Sequence, residues 1–114
     1  MIESLTTDHK PCIPEERMRI EKCSGIIDTF KEEDGSDIGP SWVWAPGNDM
    51  PGLAMSRSIG DGLAHSVGVI PDPEVKEFWL TQEDKFVVLA SDGVWEFMTN
   101  FDVASLVANF YYKN

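Results

Sequence analysis

The stretch PGLAMSRSIGD, residues 51–61, decides how the rest of the chain can fold. It lies inside a longer segment, residues 46–73, in which prolines and glycines recur. Proline lacks a backbone N–H and glycine loses more chain entropy on folding than other residues, so this segment does not favour a long helix or strand. A loop-rich segment of this length inside a domain is more often functional than idle. We therefore expect regular structure before and after it, and function within it.

Arg57 is the residue of this stretch with the clearest chemistry, and two roles are open for it. Arg57 follows Ser56 and precedes Gly60, which frees the backbone to turn, so its guanidinium could hold a phosphate through two parallel N–H bonds. The alternative is structural, since an ion pair from Arg57 to Asp61, or to a similar carboxylate, would brace the loop. The residues alone leave both interpretations open.

One helix and two strands are predicted before the loop-rich segment. A helix is expected over residues 14–23, because Pro14 suits the first helical position and acidic residues follow in the first turn. Gly25 can end this helix in a left-handed conformation. Strands are then expected at residues 26–30 and 41–44, with an exposed acidic loop between them.

A hairpin and a second helix are predicted after the loop-rich segment. Residues 74–80 and 85–90 have the composition of strands, joined by a turn at 81–84. Successive apolar residues in the second strand indicate burial on both faces. The helix is expected to begin at Thr99 or Asn100 and to face a sheet with an apolar stripe. The stripe consists of Val103, Leu106, Val107 and Phe110.

Asp92 comes directly after the second predicted strand and is followed by Gly93. A carboxylate at the end of a buried strand is costly to desolvate unless donors or a cation compensate it. Asp92 could cap a short helical turn through the N–H of Val94 or Trp95, or it could bind a metal ion. A divalent metal site needs several oxygen ligands, so one aspartate cannot form it.

Charge is the outlier of the composition. Nine Lys and Arg against twenty Asp and Glu, among 114 residues, give a formal net charge of −11. Such a surface repels nucleic acid and anionic lipid, so neither is expected as a partner. No apolar run approaches the roughly 20 residues of a membrane span. The first residues show no secretory signal, and an intracellular location, in the cytoplasm, the nucleus or both, is expected.

The cysteines and histidines match no common metal or catalytic spacing. Cys12 and Cys23 form one sparse pair, which is typical of reduced structural thiols rather than of a zinc site or a disulfide scaffold. His9 and His65 are expected to be surface or turn residues, because no nucleophile stands in register with either.

Five blocks of the sequence together resemble, in order, the middle of the catalytic domain of the protein phosphatase 2C family. The blocks are residues 5–11, 16–20 with Gly25, 51–61, 68–75 and 89–97. The resemblance implies an α+β fold, part of a four-layer α/β/β/α sandwich in which two antiparallel β-sheets are flanked by helices. It also implies two Mg²⁺ or Mn²⁺ ions between the sheets, which activate a water toward the phosphorus of phosphoserine or phosphothreonine.

The same resemblance assigns roles to residues of this chain. Asp92 matches the metal-binding aspartate at the end of a core strand, with Gly93 beside it. Residues 46–73 match the part of the family that contains the flap beside the active site. Within that part, the flap or site-supporting positions are Ser56, Arg57, Gly60 and Asp61.

Several motifs of the family are absent from the 114 residues. No Asp-Gly-His-Gly-Gly segment and no Asp-Asn pair occurs, although these carry further metal-binding aspartates in the family. We therefore interpret residues 1–114 as a partial catalytic domain of a Ser/Thr phosphatase, inactive alone, that needs its missing segments or self-associates. The alternatives are a catalytically dead phosphatase-like binding or regulatory module, and a small acidic protein that binds divalent cations weakly.

Overall fold

The computed structural model describes residues 1–113, which form four helices and three strands. The elements are α1 (Pro14–Lys22), β1 (Ile26–Lys31), β2 (Asp37–Trp44), β3 (Pro51–Leu53), α2 (Gly62–Ser66), α3 (Asp92–Trp95) and α4 (Asn100–Tyr111). They fall into two compact units, a central unit of residues 8–74 and a second unit of residues 1–7 with 75–114. The α+β class expected from the sequence is confirmed.

Helix α1 begins as the sequence predicts, with Pro14 in the first position and acidic residues in the first turn. Its end differs from the prediction. The left-handed residue is Ser24, with φ of 65°, whereas Gly25 has no positive φ. Gly25 is required for close packing instead, because a Cβ there would lie 2.5 Å from Cγ2 of Ile20.

The three strands form one antiparallel sheet in the order β1-β2-β3. Ile27 pairs with Val43, and Val43 pairs with Leu53 on the other side. Both predicted strands are confirmed, and β2 is longer than expected because it begins at Asp37, inside the predicted acidic loop. The short strand β3 lies in the loop-rich segment, where no strand was expected.

One face of this sheet packs into the core of the central unit. The buried core residues are Ile20, Val43, Ala45, Ala64, Val67 and Val69. Ile27 and Leu53 pack against them. Because successive side chains of a strand point to opposite faces of the sheet, the side chains next to these core residues point away from the core. The central unit therefore has an apolar core on one side of its sheet only.

The predicted hairpin in the second unit is wrong for this structure. The turn forms, since the carboxylate of Asp84 accepts hydrogen bonds from Thr81. Residues 74–80 and 85–90, however, contain no strand. Phe86 and Val88 are partly buried, while Leu89 is 89% exposed. A strand buried on both faces needs a layer on each side, and the described part of the second unit contains no sheet.

Helix α4 begins where the sequence predicts, because Thr99 and Asp102 form a reciprocal capping box. Its apolar stripe is only partly covered: Val103 is buried, but Leu106 and Phe110 are exposed. The expected sheet beneath this stripe is absent from the described residues of its unit. Neither α4 nor another helix of residues 1–113 is long and apolar enough to cross a membrane.

The second unit leaves large apolar side chains in water, which predicts that the isolated chain associates with itself. Trp79 is 93% exposed and Leu89 is 89% exposed. Burial of apolar surface stabilises a protein by about 25 cal/mol per Å². A few hundred Å² left exposed therefore lacks several kcal/mol of stabilisation, which is a large part of the stability of a small domain. Light scattering after size-exclusion chromatography should show oligomers that increase with concentration.

A double variant, Trp79→Gln with Leu89→Gln, should reduce this association, whereas Glu83→Gln in the exposed turn should leave it unchanged. A monodisperse monomer with a steep urea transition would contradict the prediction, because it would mean that the 114 residues cover their own apolar surface.

Candidate functional site

A buried carboxylate organises the loop-rich segment. Glu16 on α1 is only 3% exposed, and its oxygens accept five hydrogen bonds from three side chains. The donors are Nη1 and Nη2 of Arg19 at 2.9 and 2.8 Å, Nε and Nη2 of Arg57 at 3.1 and 2.7 Å, and Oγ of Ser56 at 2.5 Å. We call Glu16, Arg19, Ser56 and Arg57 the Glu16 cluster.

The cluster joins α1 to both halves of the loop-rich segment. Arg19 lies one turn after Glu16 on the same helix face, as residues three apart do. Its guanidinium also donates to the carbonyl oxygens of Ser56 and Gly68, at 2.9 and 2.8 Å. Arg57 donates through Nη1 to the carbonyl oxygen of Asp72 at 2.9 Å. A segment without long regular structure is thus held by side-chain bonds.

The charges of the cluster stabilise one another. Hydrogen bonds from Arg19, then Arg57, and a smaller one from Ser56, hold the pKa of Glu16 well below its ordinary value of 4.5 and outweigh the opposing effect of burial. The hydrogen bond to Glu16 in turn raises the pKa of Arg57. Glu16 and Arg57 are therefore both charged at neutral pH and form an ion pair.

Arg57 is thus engaged in an ion pair, but its partner is Glu16 rather than Asp61. Of the two roles considered for Arg57, the structure therefore shows the ion pair that braces the loop. Ser56 is fully buried, and its backbone N–H donates to the carbonyl oxygen of His9 at 3.0 Å. Both residues hold the loop in place.

Gly60 and Asp61 shape the same loop. Gly60 has φ of 79°, so the backbone turns there as the sequence predicts. The side chain of Asp61 caps α2 by accepting from the backbone N–H of Ala64 at 3.2 Å. His65 lies within α2 rather than in a turn, and its Nε2 is hydrogen-bonded to the carbonyl oxygen of Ser58 at 2.8 Å.

Asp92 lies in the second unit, at the first position of α3, and it is exposed. No side chain caps this helix, and the N–H groups of Val94 and Trp95 donate to the carbonyl oxygen of Ser91. The interpretation of Asp92 as a cap is therefore wrong for this structure. The buried strand end on which it was expected is also absent. Gly93 follows within the same short helix.

The described residues do not form a metal site by themselves. No group of three or more His, Cys, Asp or Glu side chains within residues 1–113 is arranged to hold a cation. His9 pairs with Glu74 at 3.2 Å. Cys12 and Cys23 are free thiols, and both residues are exposed. A two-metal centre does not fit the donor set of the described residues alone.

Comparison with known proteins identifies the family. Residues 1–114 match the family described as "PP2C: Protein phosphatase 2C" over the whole chain. The chain belongs to the protein phosphatase 2C family, and the resemblance seen in the five sequence blocks is confirmed. No solved structure matches the chain significantly.

The relatives are much longer than this chain. "Probable protein phosphatase 2C 12" of Oryza sativa subsp. japonica is 48% identical over 90% of this chain and 25% of its own length. "Probable protein phosphatase 2C 52" of Arabidopsis thaliana is 45% identical over 92% of this chain and 22% of its own length. The chain thus spans about a quarter of such relatives.

Glu16 and Arg19 were not singled out from the sequence, although they are central to the cluster. Their spacing of three residues on a predicted helix was a usable signal, because it places a carboxylate and a guanidinium side by side. The involvement of Arg57 had no such local signal, since it lies 41 residues away along the chain.

Replacing Glu16 by Gln should destabilise the central unit strongly. The substitution keeps the size of the side chain but leaves two partly buried guanidinium groups without their counter-charge, which costs about 3–5 kcal/mol. Glu15→Gln, an exposed neighbour on the same helix, should change the free energy of unfolding by less than about 0.5 kcal/mol. Urea unfolding followed by circular dichroism at pH 7 measures both. Equal stability of the two variants would contradict the ionic role of Glu16.

The advantage of the wild-type chain over Glu16→Gln should also depend on pH. Because the pKa of Glu16 is lowered by folding, its contribution is fully present above the ordinary value of 4.5 and is lost as the pH falls below it. The unfolding experiment should be repeated between pH 7 and pH 3. The difference in the free energy of unfolding between the two chains should stay constant down to about pH 4.5 and shrink at lower pH. A difference that grows in acid would reverse the sign and refute the assignment.

Proposed function

We propose that this chain is part of the catalytic domain of a metal-dependent protein serine/threonine phosphatase, and that its function belongs to the complete domain. Membership of the family over residues 1–114 carries this proposal. The complete domain would be the four-layer α/β/β/α sandwich, and phosphorylated Ser/Thr proteins would be its substrates. The three-stranded sheet and residues 46–73 would then be a partial layer and the flap segment. An intracellular location is part of the same proposal.

Asp92 is the proposed metal ligand of this segment. Its sequence context, Ala90-Ser91-Asp92-Gly93, matches the family's metal-binding motif. Its carboxylate is exposed and does not cap α3, so it is not engaged in a structural role there. In the complete domain, Mg²⁺ or Mn²⁺ would supply an activated water for phosphate hydrolysis. The other ligands would come from segments outside these 114 residues.

Ser56 and Arg57 support the proposed flap indirectly. They are bonded to Glu16 on α1, so they would set the position of residues 51–61 rather than touch the substrate. Gly60 and Asp61 continue that segment into α2. Their proposed role is therefore to support the site.

The alternative is a phosphatase-like binding or regulatory module without activity. A single matched aspartate, and the absence of a cation-binding group within the described residues, are the observations that favour it. A weak divalent-cation binder of another class is a poorer candidate, because the chain belongs to a phosphatase family.

The 114-residue chain should show no hydrolysis of p-nitrophenyl phosphate or of a phosphothreonine peptide with millimolar Mn²⁺. The reason is that the chain has one matched metal-binding aspartate. Water would have to supply most of the other ligands of two cations, so the chain would not hold the cations in place. Activity that follows the protein through purification, and that disappears in Asp92→Asn, would show that the chain holds a complete site.

A chimera tests the proposed role within a complete domain. The 103 residues of this chain that match the rice relative named above would replace the corresponding segment of that relative, to which they are 48% identical. The chimera should hydrolyse the phosphothreonine peptide, and Asp92→Asn should lower kcat by about 100-fold or more and weaken Mn²⁺ binding.

Glu83→Gln is the matched control in the chimera, because it removes an exposed carboxylate from a turn and should leave kcat unchanged. A folded but inactive chimera would support the non-catalytic module instead. Equal turnover of the Asp92→Asn and Glu83→Gln forms would remove Asp92 from the metal site.

A further inference from the structure

The face of the β1–β2 pair that does not contribute to the core carries a groove with aromatic walls. It is lined by Asp28, Thr29, Phe30, Trp42 and Trp44. We call it the aromatic groove. All five residues lie in the central unit, and none of them belongs to the Glu16 cluster or to the proposed metal site.

The register of the strands builds this groove. Asp28 pairs directly with Trp42 across the two strands. The ring of Phe30 stands edge-on to that of Trp42, with centroids 6.4 Å apart. Trp44 follows two residues after Trp42, and its ring covers Gly52, where a Cβ would lie 2.9 Å from Cζ3. The result is a row of three aromatic rings with a carboxylate beside it.

The carboxylate of Asp28 is only partly satisfied. Its Oδ1 accepts from the backbone N–H of Thr29 at 2.8 Å. The residue is exposed, and so is Phe30, at 63%. An oxygen of Asp28 and an aromatic surface are therefore available together to a molecule in the groove.

We propose that the aromatic groove binds an arginine side chain from a basic segment of a partner protein. A guanidinium is planar, stacks on aromatic rings and donates N–H groups in a fork that matches a carboxylate. The groove supplies both surfaces, the rings of Phe30 and Trp42 and the carboxylate of Asp28. This inference stands apart from the proposed phosphatase activity and needs no metal.

The charge around the groove favours a basic occupant. The hairpin that carries it continues into a turn with Glu32, Glu33 and Asp34, while Lys31 is paired with Asp37. This acidic turn attracts cationic segments and repels anionic ones. Apolar occupants, such as a second copy of the chain or another layer of a larger domain, would bury the carboxylate of Asp28 without compensation.

The test measures binding by the 114-residue chain rather than activity. Trp79→Phe and Trp95→Phe would leave Trp42 and Trp44 as the only fluorescent indoles. The probe is the acetylated peptide amide GRGRGRG, compared with the same peptide in which citrulline replaces each arginine, at 150 mM NaCl. The arginine peptide should change the fluorescence saturably and bind at least about tenfold more tightly than the citrulline peptide.

Two variants with the same loss of charge separate the groove from general attraction to an acidic chain. Asp28→Asn should weaken binding about fivefold or more, because it removes the charge but keeps an acceptor for Thr29. Glu77→Gln, in the second unit, should change affinity less than about twofold. Circular dichroism of both variants checks that the fold is retained. Trp42→Leu should abolish the tighter binding of arginine.

Each contrary result overturns the proposal. Equal affinities for arginine and citrulline would remove the guanidinium from the explanation. Equal effects of Asp28→Asn and Glu77→Gln would show attraction without a site. Equal or tighter binding of a GLGLGLG peptide, or self-association that is lost on Trp42→Leu, would assign the groove to an apolar occupant or to a second copy.

Discussion

The ion pairs of Glu16 with two arginines are the interaction on which the central unit depends. Residues 46–73 contain too many prolines and glycines for long helices or strands, and the only strand among them, β3, is three residues long. The Glu16 cluster adds the attachments that regular structure does not supply, since Arg19 and Arg57 reach carbonyl oxygens of Ser56, Gly68 and Asp72. A buried carboxylate whose oxygens are hydrogen-bonded to cationic side chains fixes the position of those side chains. A buried carboxylate without such partners would strongly destabilise the fold.

The two units differ in how far they cover their apolar residues. In the central unit, α1 and one face of the sheet enclose a core around Ile20 and Val43. The second unit leaves the stripe of α4 and residues such as Trp79 in water. The rice and Arabidopsis relatives are about four times as long as this chain, so they contain segments that this chain lacks. This contrast is the structural basis for proposing that the function belongs to a larger domain.

The residues proposed from the sequence fall into distinct physical roles. Ser56 and Arg57 are bonded to Glu16, and Asp61 caps α2, so these residues hold the loop. Asp92 belongs to the second unit, where it is exposed and does not cap α3. The aromatic groove shares no residue with either, and Asp28, which pairs with Trp42, lies on the sheet face opposite the core residue Val43.

Local features were determined by the sequence itself. Pro14 with its acidic neighbours begins α1, and Thr99 with Asp102 begins α4, because caps depend on residues within one turn. The family could also be identified from the sequence, because each of its motifs is a run of adjacent residues. Only the tertiary structure decided the partner of Arg57, which is 41 residues distant, and the absence of strands at 74–80 and 85–90. A strand requires a neighbour to accept its hydrogen bonds, and a composition of strand-forming residues cannot say whether that neighbour is present.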